Sequence, residues 1–236
     1  MSSLLHRQRT LTEQSRDAHL HWLIEELGVD LVLDVGANRG QFGSGLRAGG
    51  FTGRIVSFEP AAGPRAELEA AAATDPAWEV LPWALAESDG EAVLHAIDEE
   101  SELGSLRASS EFGRAWKPLM ARTREERVVV RRLDGVWDEL DAGPSPRVLL
   151  KLDTQGFDLA AFRGAGALVA PGGPVVAVLS EVACLPIYDH VPLMAEHLAE
   201  YADAGWSLAG LYPVSFDPAS LRVIEHDAVL VRTPPA

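Results

Sequence analysis

The chain is poor in cysteine and in basic residues. Cys184 is the only cysteine among 236 residues. A lone thiol cannot form an internal disulfide or a multi-thiolate metal site, so the composition predicts a reducing compartment. The 20 Lys and Arg residues face 35 Asp and Glu residues, which gives a net charge of −15. Nucleic-acid binding calls for a clustered basic face, so we expect no nucleic-acid partner.

Long hydrophobic runs are also missing. No stretch approaches the roughly 20 apolar residues that span a bilayer, and the first twenty residues lack the continuous apolar segment of a signal peptide. We therefore expect a cytoplasmic protein with no membrane partner.

Short apolar runs alternate with helical segments through most of the chain. A hydrophobic content of 47% is enough for one substantial core, and we expect one domain over residues 1–236. The alternation predicts an α/β fold with a mainly parallel, doubly wound sheet. Seven strands are predicted, at 31–35, 54–58, 78–82, 147–152, 174–180, 206–212 and 225–232.

Two regions interrupt this pattern. Residues 90–133 contain two strand-like pieces, 91–97 and 127–133, around a polar, serine-rich stretch. We interpret them as an inserted hairpin between the third and fourth strands, near the substrate side, with a long mobile connection. Residues 1–28 have an apolar stripe and are predicted to form a helical preface that packs on the sheet edge or covers a cleft.

The stretch LVLDVGANRGQFG, residues 31–43, joins the first predicted strand to the first helix. In an open α/β sheet this turn lies at the ligand crevice, where helix-start amides face an anionic group. A dinucleotide fingerprint requires G-x-G-x-x-G, but Asn38 occupies the position of its second glycine. Glycine spacing alone is equally compatible with an ordinary strand-to-helix turn.

Several segments together resemble the FkbM family of methyltransferases. The matching pieces are LDVGANRGQF, GRIVSFEP, ALAESDGEAVL, RLDGVWDEL, LLKLDTQGFDLAAFRGA, SEVACLPIYD and HDAVLVR, in that order. The resemblance implies a Rossmann-like, seven-stranded sheet of class I type whose last strand is antiparallel. It also implies S-adenosylmethionine as cofactor and methyl transfer to a hydroxyl of a sugar or natural product.

The resemblance assigns cofactor roles position by position. Glu59, at the end of the second strand, is expected to accept hydrogen bonds from the ribose hydroxyls, although it is also compatible with a solvated carboxylate. Asp34 is expected to hold the turn through backbone amides, to approach the cofactor's ammonium group, or to do both. The other expected cofactor contacts are Gly36, Ala37, Asn38 and Gly40 around the amino-acid end, Arg39 at its carboxylate, and Pro60, Trp83 and Ala84 around the adenine. Trp83 is also a candidate core residue.

Three residues are the catalytic candidates. Asp153 follows the fourth strand of the sheet, where the resemblance places the reacting methyl. It is also expected to contact the cofactor at its positively charged end, and it is a candidate helix N-cap. Glu181 closes the fifth strand, and His190 lies in the loop beyond it and is also compatible with an exposed position. Each is a titratable group suited to orienting or deprotonating a hydroxyl.

One position departs from the family pattern. Many members carry Asp-x-Glu-Gly where this chain has Asp153-Thr154-Gln155-Gly156. The change weakens any role of position 155 as a base or metal ligand. Asp153, Glu181 and Asp189 have the oxygen chemistry for a divalent cation, but their spacing does not predict one, and we predict no metal site.

The acceptor is expected to be a small molecule with a sugar or polyketide-like hydroxyl. Arg107, Trp116 and Lys117 of the insertion are candidate contacts to it. Two other functions stay open from the sequence: an NAD-dependent oxidoreductase of Rossmann type, and a catalytically silent cofactor-binding protein.

Overall fold

A seven-stranded sheet organises the molecule. The computed structural model describes residues 3–97 and 100–232, with side chains from His6 onward. The strands of both sheets are β1 Leu31–Val35, β2 Arg54–Phe58, β3 Trp78–Leu81, β4 Trp83–Leu85, β5 Gly90–Ala96, β6 Arg124–Arg131, β7 Val148–Leu152, β8 Val175–Ala183, β9 Trp206–Asp217 and β10 Arg222–Arg232.

Helices cover both faces of this sheet. Apolar side chains from β1, β7 and β8 meet them on each side, which is why these strands are almost continuously apolar. The α-helices are α1 Ser3–Glu26, α2 Gln41–Ala48, α3 Ala62–Ala72, α4 Glu111–Trp116, α5 Leu133–Val136, α6 Asp158–Gly164 and α7 Met194–Asp203. Short 3-10 helices span Ser101–Leu103, Pro118–Ala121, Trp137–Leu140 and Gly166–Val169.

The strand order in the large sheet is β3-β2-β1-β7-β8-β10-β9. Neighbouring strands are parallel except around β10, which runs antiparallel to both β8 and β9. The predicted α/β class, the seven strands and the antiparallel last strand are therefore confirmed. The order reverses at β1, whose carboxyl end lies beside that of β7, and this is where open α/β sheets bind ligands.

The insertion differs from the predicted hairpin. Strands β5 and β6 pair antiparallel, but β4 adds to β6 in parallel, so the unit is a three-stranded sheet. The connection between β5 and β6 was predicted to be a mobile loop. In its described part, from residue 100 onward, it contains α4 and two 3-10 helices, with Leu103, Ser105 and Met120 buried; residues 98–99 lie outside the described residues.

The N-terminal helix packs against the far edge of the sheet. Leu20 and Leu23 of α1 are buried against Leu179 of β8 and Val229 of β10. The hydroxyl group of Tyr212 on β9 lies 2.8 Å from Nδ1 of His19. These contacts bring the polar side of α1 over the carboxyl ends of the central strands. No helix in the described ranges has the length and hydropathy required to span a bilayer.

Candidate active site

A cavity of about 770 Å³ opens at the carboxyl ends of β1, β2, β7 and β8. The glycine-containing turn after β1 forms its floor, α1 contributes residues to one wall, and the insertion contributes residues to another. Its volume lies within the ~300–1,000 Å³ typical of small-molecule sites. The sheet's ligand crevice is thus a partly enclosed space.

The turn after β1 requires glycine at its start. Gly36 has a φ of 74°, in the left-handed region, and a Cβ at this position would lie 1.9 Å from the carbonyl oxygen of Asp153. The backbone after β1 therefore approaches the backbone after β7 more closely than any side chain permits. Gly40, with φ 85°, is buried against Leu68 and Trp78 and does not line the cavity.

The amides of this turn have acceptors within the chain. Gly36 and Ala37 donate to the carbonyl oxygen of Phe58 at 3.0 and 3.1 Å, and Asn38 donates to Glu59 Oε2 at 2.8 Å. These three amides attach the turn to β2 and are not free to bind an anion. This corrects the expectation that the amides of the turn face an anionic group of the cofactor. The donors still lacking intrahelical partners are the first amides of α2, beginning at Gln41, which lines the cavity.

Asp34 lies behind this turn and does not line the cavity. Its side chain is completely buried, and Oδ1 is 2.9 Å from Nζ of Lys151, which also donates to the carbonyl oxygen of Gly36 at 2.8 Å. Burial disfavours the ammonium, but the carboxylates of Asp34 and Asp153 outweigh it and raise the pKa of Lys151. Of the two roles left open for Asp34, the geometry supports holding the turn, through Lys151, and separates the residue from the cofactor space.

Glu59 is buried at the end of β2 and lines the cavity. Its carboxylate accepts from the amides of Asn38 and Ala61, both at 2.8 Å. Burial raises the pKa of Glu59 against the opposing effect of these two bonds. Each carboxylate oxygen has a second lone pair, so the group can still accept hydrogen bonds from a diol in the cavity.

The remaining predicted cofactor contacts line the same space. Pro60, Trp83 and Ala84 form one side of the cavity, and Ala84 is buried while Trp83 is partly exposed. Trp83 packs on the main core and carries the guanidinium of Arg131 over its ring, 5.1 Å from the centroid. Trp83 is therefore a core residue that also lines the cavity. Arg39 lines the rim, where its Nε is 3.6 Å from Glu67 Oε1.

Asp153 and Glu181 converge on the inner end of the cavity. Gln155 lies between them, and its Nε2 donates to Asp153 Oδ1 at 3.0 Å and to Glu181 Oε2 at 2.6 Å. Asp153 is not an N-cap, because α6 begins at Asp158 and has no side-chain cap. Both carboxylates are positioned by one amide and face the cavity.

Further carboxylates surround Glu181. Burial first, and then repulsion from Glu225 and Asp153, raises the pKa of Glu181 well above its ordinary value. Burial also raises the pKa of Asp158 and of Glu225 to about 7. Asp227, opposite Glu181 in the β8–β10 register, is paired with Arg16 of α1 at 2.6 Å. A carboxyl group with a raised pKa takes up a proton readily near neutral pH.

Four other candidates lie away from the cavity. His190 is exposed, has a φ of 56° and is not among the lining residues. Arg107 donates to the carbonyl oxygen of Gly156 at 2.8 Å, Trp116 donates to that of Phe216, and Lys117 pairs with Glu100. Other residues of the insertion line the cavity: Leu94, Ala96, Ile97, Ser101, Glu102, Gly104, Ser105, Leu106 and Arg124. Ser101 Oγ donates to Asn38 Oδ1 at 2.9 Å.

Lys151, Gln155 and Arg16 were missed as site residues. A lysine inside the apolar run VLLKL was a usable signal, since an unpaired charge is rarely buried in a central strand. Gln155 was read only as a departure from the family pattern, and Arg16 gave no local signal. Among the described residues, no group of three or more His, Cys, Asp or Glu side chains has the arrangement of a metal site.

The chain matches one protein family. A family model described as "Methyltransferase FkbM domain" matches residues 34–205, which is more than half of the chain. No curated protein sequence gives a significant match.

Solved structures share the fold at low sequence identity. The methyltransferase domain of bacterial CtHen1-CN is 8% identical, with a TM-score of 0.50 over 93% of this chain and 99% of that one. Magnesium protoporphyrin IX methyltransferase from Synechocystis PCC 6803, with bound SAH, is 11% identical, with a TM-score of 0.49 over 99% and 89%. Fibrillarin from Aeropyrum pernix, with natively bound S-adenosyl-L-methionine, is 14% identical, with a TM-score of 0.44 over 86% and 66%.

The family match includes the turn after β1, Glu59, Asp153 and Glu181, which the structure assembles around one cavity. The chain therefore belongs to the FkbM family of methyltransferases.

Proposed function

We propose that this methyltransferase transfers the methyl group to a hydroxyl of a small molecule, either a sugar or a natural product. The observation that carries the proposal is the pair of carboxylates, Asp153 and Glu181, joined through Gln155 at the inner end of the cavity. A hydroxyl loses its proton when it is methylated, so its methylation benefits from a nearby base.

The residues around the cavity fit S-adenosylmethionine. Glu59 offers acceptors for the ribose hydroxyls, Trp83 and Pro60 offer apolar surface for the adenine, and Arg39 offers a cation for the carboxylate. The cofactor supplies a methyl group on a positively charged sulfur. The carboxylates of Asp153 and Glu181 favour positive charge near them.

Glu181 is the better placed of the two to take the hydroxyl proton. Its raised pKa makes it a stronger base than an exposed glutamate. Asp153 is closer to the turn after β1, since Lys151 Nζ lies 3.6 Å from Asp153 Oδ2 and 2.8 Å from the carbonyl oxygen of Gly36. We assign Asp153 to orienting the reactants and Glu181 to accepting the proton.

A small acceptor is supported by the walls of the site. The cavity is closed on one side by α1 and on another by residues 101–106 of the insertion. Carboxylates outnumber cations in the chain, with a net charge of −15, which disfavours a polyanionic acceptor. The space beyond the cofactor is suited to one ring or a short chain bearing a hydroxyl.

The first experiment tests cofactor and reaction separately. Calorimetry with S-adenosylhomocysteine and with NAD compares the two cofactors on the purified protein. A panel of glycosides and polyketide alcohols is then incubated with S-adenosylmethionine, and mass spectrometry identifies a methylated product. We expect tighter binding of S-adenosylhomocysteine than of NAD; the reverse order would overturn the proposal.

Three variants test the assigned roles. Asp153→Asn and Glu181→Gln are each expected to lower turnover at least tenfold with little change in S-adenosylhomocysteine affinity. Glu59→Gln is expected to weaken that affinity about ten- to a hundredfold, in line with ~1.5–3 kcal/mol for a charged hydrogen bond. Glu69→Gln, at an exposed position of α3 outside the cavity, serves as the control. Full turnover in both catalytic variants would show that the assignment of the two carboxylates is wrong.

A further inference from the structure

We propose that Gln155 is a positioning residue that holds Asp153 and Glu181 apart and directs them at the cavity, and that Tyr188 orients its amide. The inference rests on the proposed function for its chemical meaning. It gives Gln155 a role in setting the titration of Glu181, and its physical basis can be measured without any acceptor.

The amide of Gln155 has a complete and directional set of partners. Its nitrogen donates to both carboxylates, at 3.0 and 2.6 Å, and its oxygen is 2.7 Å from the hydroxyl group of Tyr188. The buried tyrosine hydroxyl is also 3.1 Å from the carbonyl oxygen of Leu103. A donor at the amide oxygen fixes which end of the amide faces the carboxylates, because two acceptors do not attract each other.

The backbone of Gln155 is held in a conformation that its residue type disfavours. Its φ is 54°, in the left-handed region, and the side chain is buried. Ser105 of the insertion donates from Oγ to the carbonyl oxygen of Gln155 at 2.7 Å. A non-glycine residue keeps this conformation only where its surroundings impose it, and such residues cluster at functional sites. Here the imposed geometry directs the amide at Asp153 and Glu181.

The charges around Glu181 explain why such a donor matters. The ionisable groups that act on Glu181 are the carboxylates of Asp153, Asp158, Glu225 and Asp227 and the hydroxyl group of Tyr188. The nearby cations are paired with other acids, Arg16 with Asp227 and Lys151 with Asp34. A hydrogen bond donated to a carboxylate favours its ionised form. Gln155 supplies this bond to both acids at once, whereas a glutamate here adds a third negative charge.

The proposal predicts a measurable shift in the titration of Glu181. Gln155→Met removes the amide at similar volume, and we expect the carboxyl titration of Glu181, followed by carbon NMR, to move upward by about one pH unit. Tyr188→Phe keeps the amide but removes the hydroxyl that orients it, and we expect a smaller shift in the same direction. Gln41→Met is the control and should leave the titration unchanged, because Gln41 lines the same cavity but its side-chain oxygen accepts from the amide of Arg39 and not from the Glu181 region.

Activity gives the second measurement. Once an acceptor is identified, the acidic limb of the turnover profile of Gln155→Met should follow the Glu181 titration upward. On that limb, turnover at a fixed pH should fall about tenfold for one pH unit. The KM for S-adenosylmethionine should change less than turnover does, because the amide contacts neither Glu59 nor Arg39, the residues proposed to bind the ribose and the carboxylate of the cofactor.

Two results would overturn the inference. One is an unchanged Glu181 titration in folded Gln155→Met; if that variant does not fold, an unchanged titration in Tyr188→Phe decides instead. The other is a shift of equal size in Gln41→Met. Failure of the methyltransferase proposal looks different, since it appears as absent methyl transfer by the unsubstituted protein while the Glu181 titration still responds to Gln155→Met.

Discussion

Asp34 and Lys151 face each other in the register between β1 and β7 and form an ion pair of 2.9 Å in the centre of the sheet. The side chain of Asp34 is fully buried and that of Lys151 is 7% exposed. Through Lys151 the pair also holds the carbonyl oxygen of Gly36, the first residue of the turn beneath the cavity. A structural ion pair thus connects the sheet to the turn that lines the cavity.

Breaking this pair is expected to destabilise the protein strongly. Lys151→Met leaves Asp34 as a buried, uncompensated charge, which costs about 3–5 kcal/mol. Urea unfolding of the variant measures the loss. The double variant Asp34→Leu/Lys151→Met should lose less than the sum of the single losses. Arg163→Met, which removes an exposed pair with Glu200, should cost at most about 1 kcal/mol. Equal losses for the buried and exposed pairs would contradict this prediction.

The close approach of the backbone after β1 to the backbone after β7 predicts that Gly36 cannot be replaced by a larger residue without loss of stability. Gly36→Ala places a methyl group against the backbone of Asp153 and forces alanine into the left-handed region, which alone costs about 1–2 kcal/mol. We expect thermal unfolding to show a loss of more than 2 kcal/mol, with weaker S-adenosylhomocysteine binding. Gly63→Ala lies on the cavity side of α3 with no atom within 4 Å of its new Cβ, and should be neutral. A neutral Gly36→Ala would show that the turn can relax.

The buried Asp158 predicts a pH dependence of stability. Burial raises its pKa from 3.8 to about 7, so the folded protein holds a proton that the unfolded chain has released. The resulting stabilisation is complete below pH ~4 and is lost as the pH rises through about 7. Asp158→Asn should therefore reduce the fall in unfolding free energy between pH 5 and 8 by about 2–3 kcal/mol.

Denaturant unfolding at several pH values measures that slope. The exposed Asp203→Asn is a suitable control, and it should keep the pH dependence of the unsubstituted protein. If Asp158→Asn keeps the same slope as well, then Asp158 does not titrate differently in the folded and unfolded states.

The ion pair between α1 and β10 predicts a role for the N-terminal helix in the site. Arg16 donates to Asp227 at 2.6 Å, and both residues line the cavity. Arg16→Gln leaves Asp227 buried and unpaired near Glu181, so we expect lower stability and a higher KM for the acceptor with unchanged S-adenosylhomocysteine affinity. Arg9→Gln, which removes an exposed pair with Glu13 on the same helix, should change stability by less than about 1 kcal/mol. If Arg16→Gln and Arg9→Gln had the same stability and the same KM for the acceptor, the result would contradict this role.

Much of the fold was predictable because its signals are local. The runs LVLDV and RIVSF form strands at the predicted residues, and the helix expected after the first strand is α2. Continuous burial on both faces of a central strand requires a continuous apolar run, and glycine is required where the turn meets another backbone. β4 was missed because three residues carry too little periodicity to separate a strand from a loop.

The acids that line the cavity at the strand ends were predicted from the sequence, whereas the side-chain contacts between them were not. Glu59, Asp153 and Glu181 follow apolar runs, so their positions at the cavity follow from the parallel sheet. His190 was predicted as a base because it is a titratable residue in the loop after the fifth predicted strand, but it lies at an exposed position outside the cavity. Nothing in the sequence around Gln155 indicates that Tyr188 reaches its amide, since that contact depends on how the loop after β8 folds back.

The sequence by itself determined the order of strands and helices, the turn that needs Gly36 and the acids at the strand ends, because each depends on neighbouring residues and on the pattern of burial. Tertiary structure alone decided which charges meet. Lys151 faces Asp34, Gln155 separates Asp153 from Glu181, and Arg16 reaches Asp227. Pairing buried charges across distant segments depends on strand register and helix docking, and these are properties of the whole packed core.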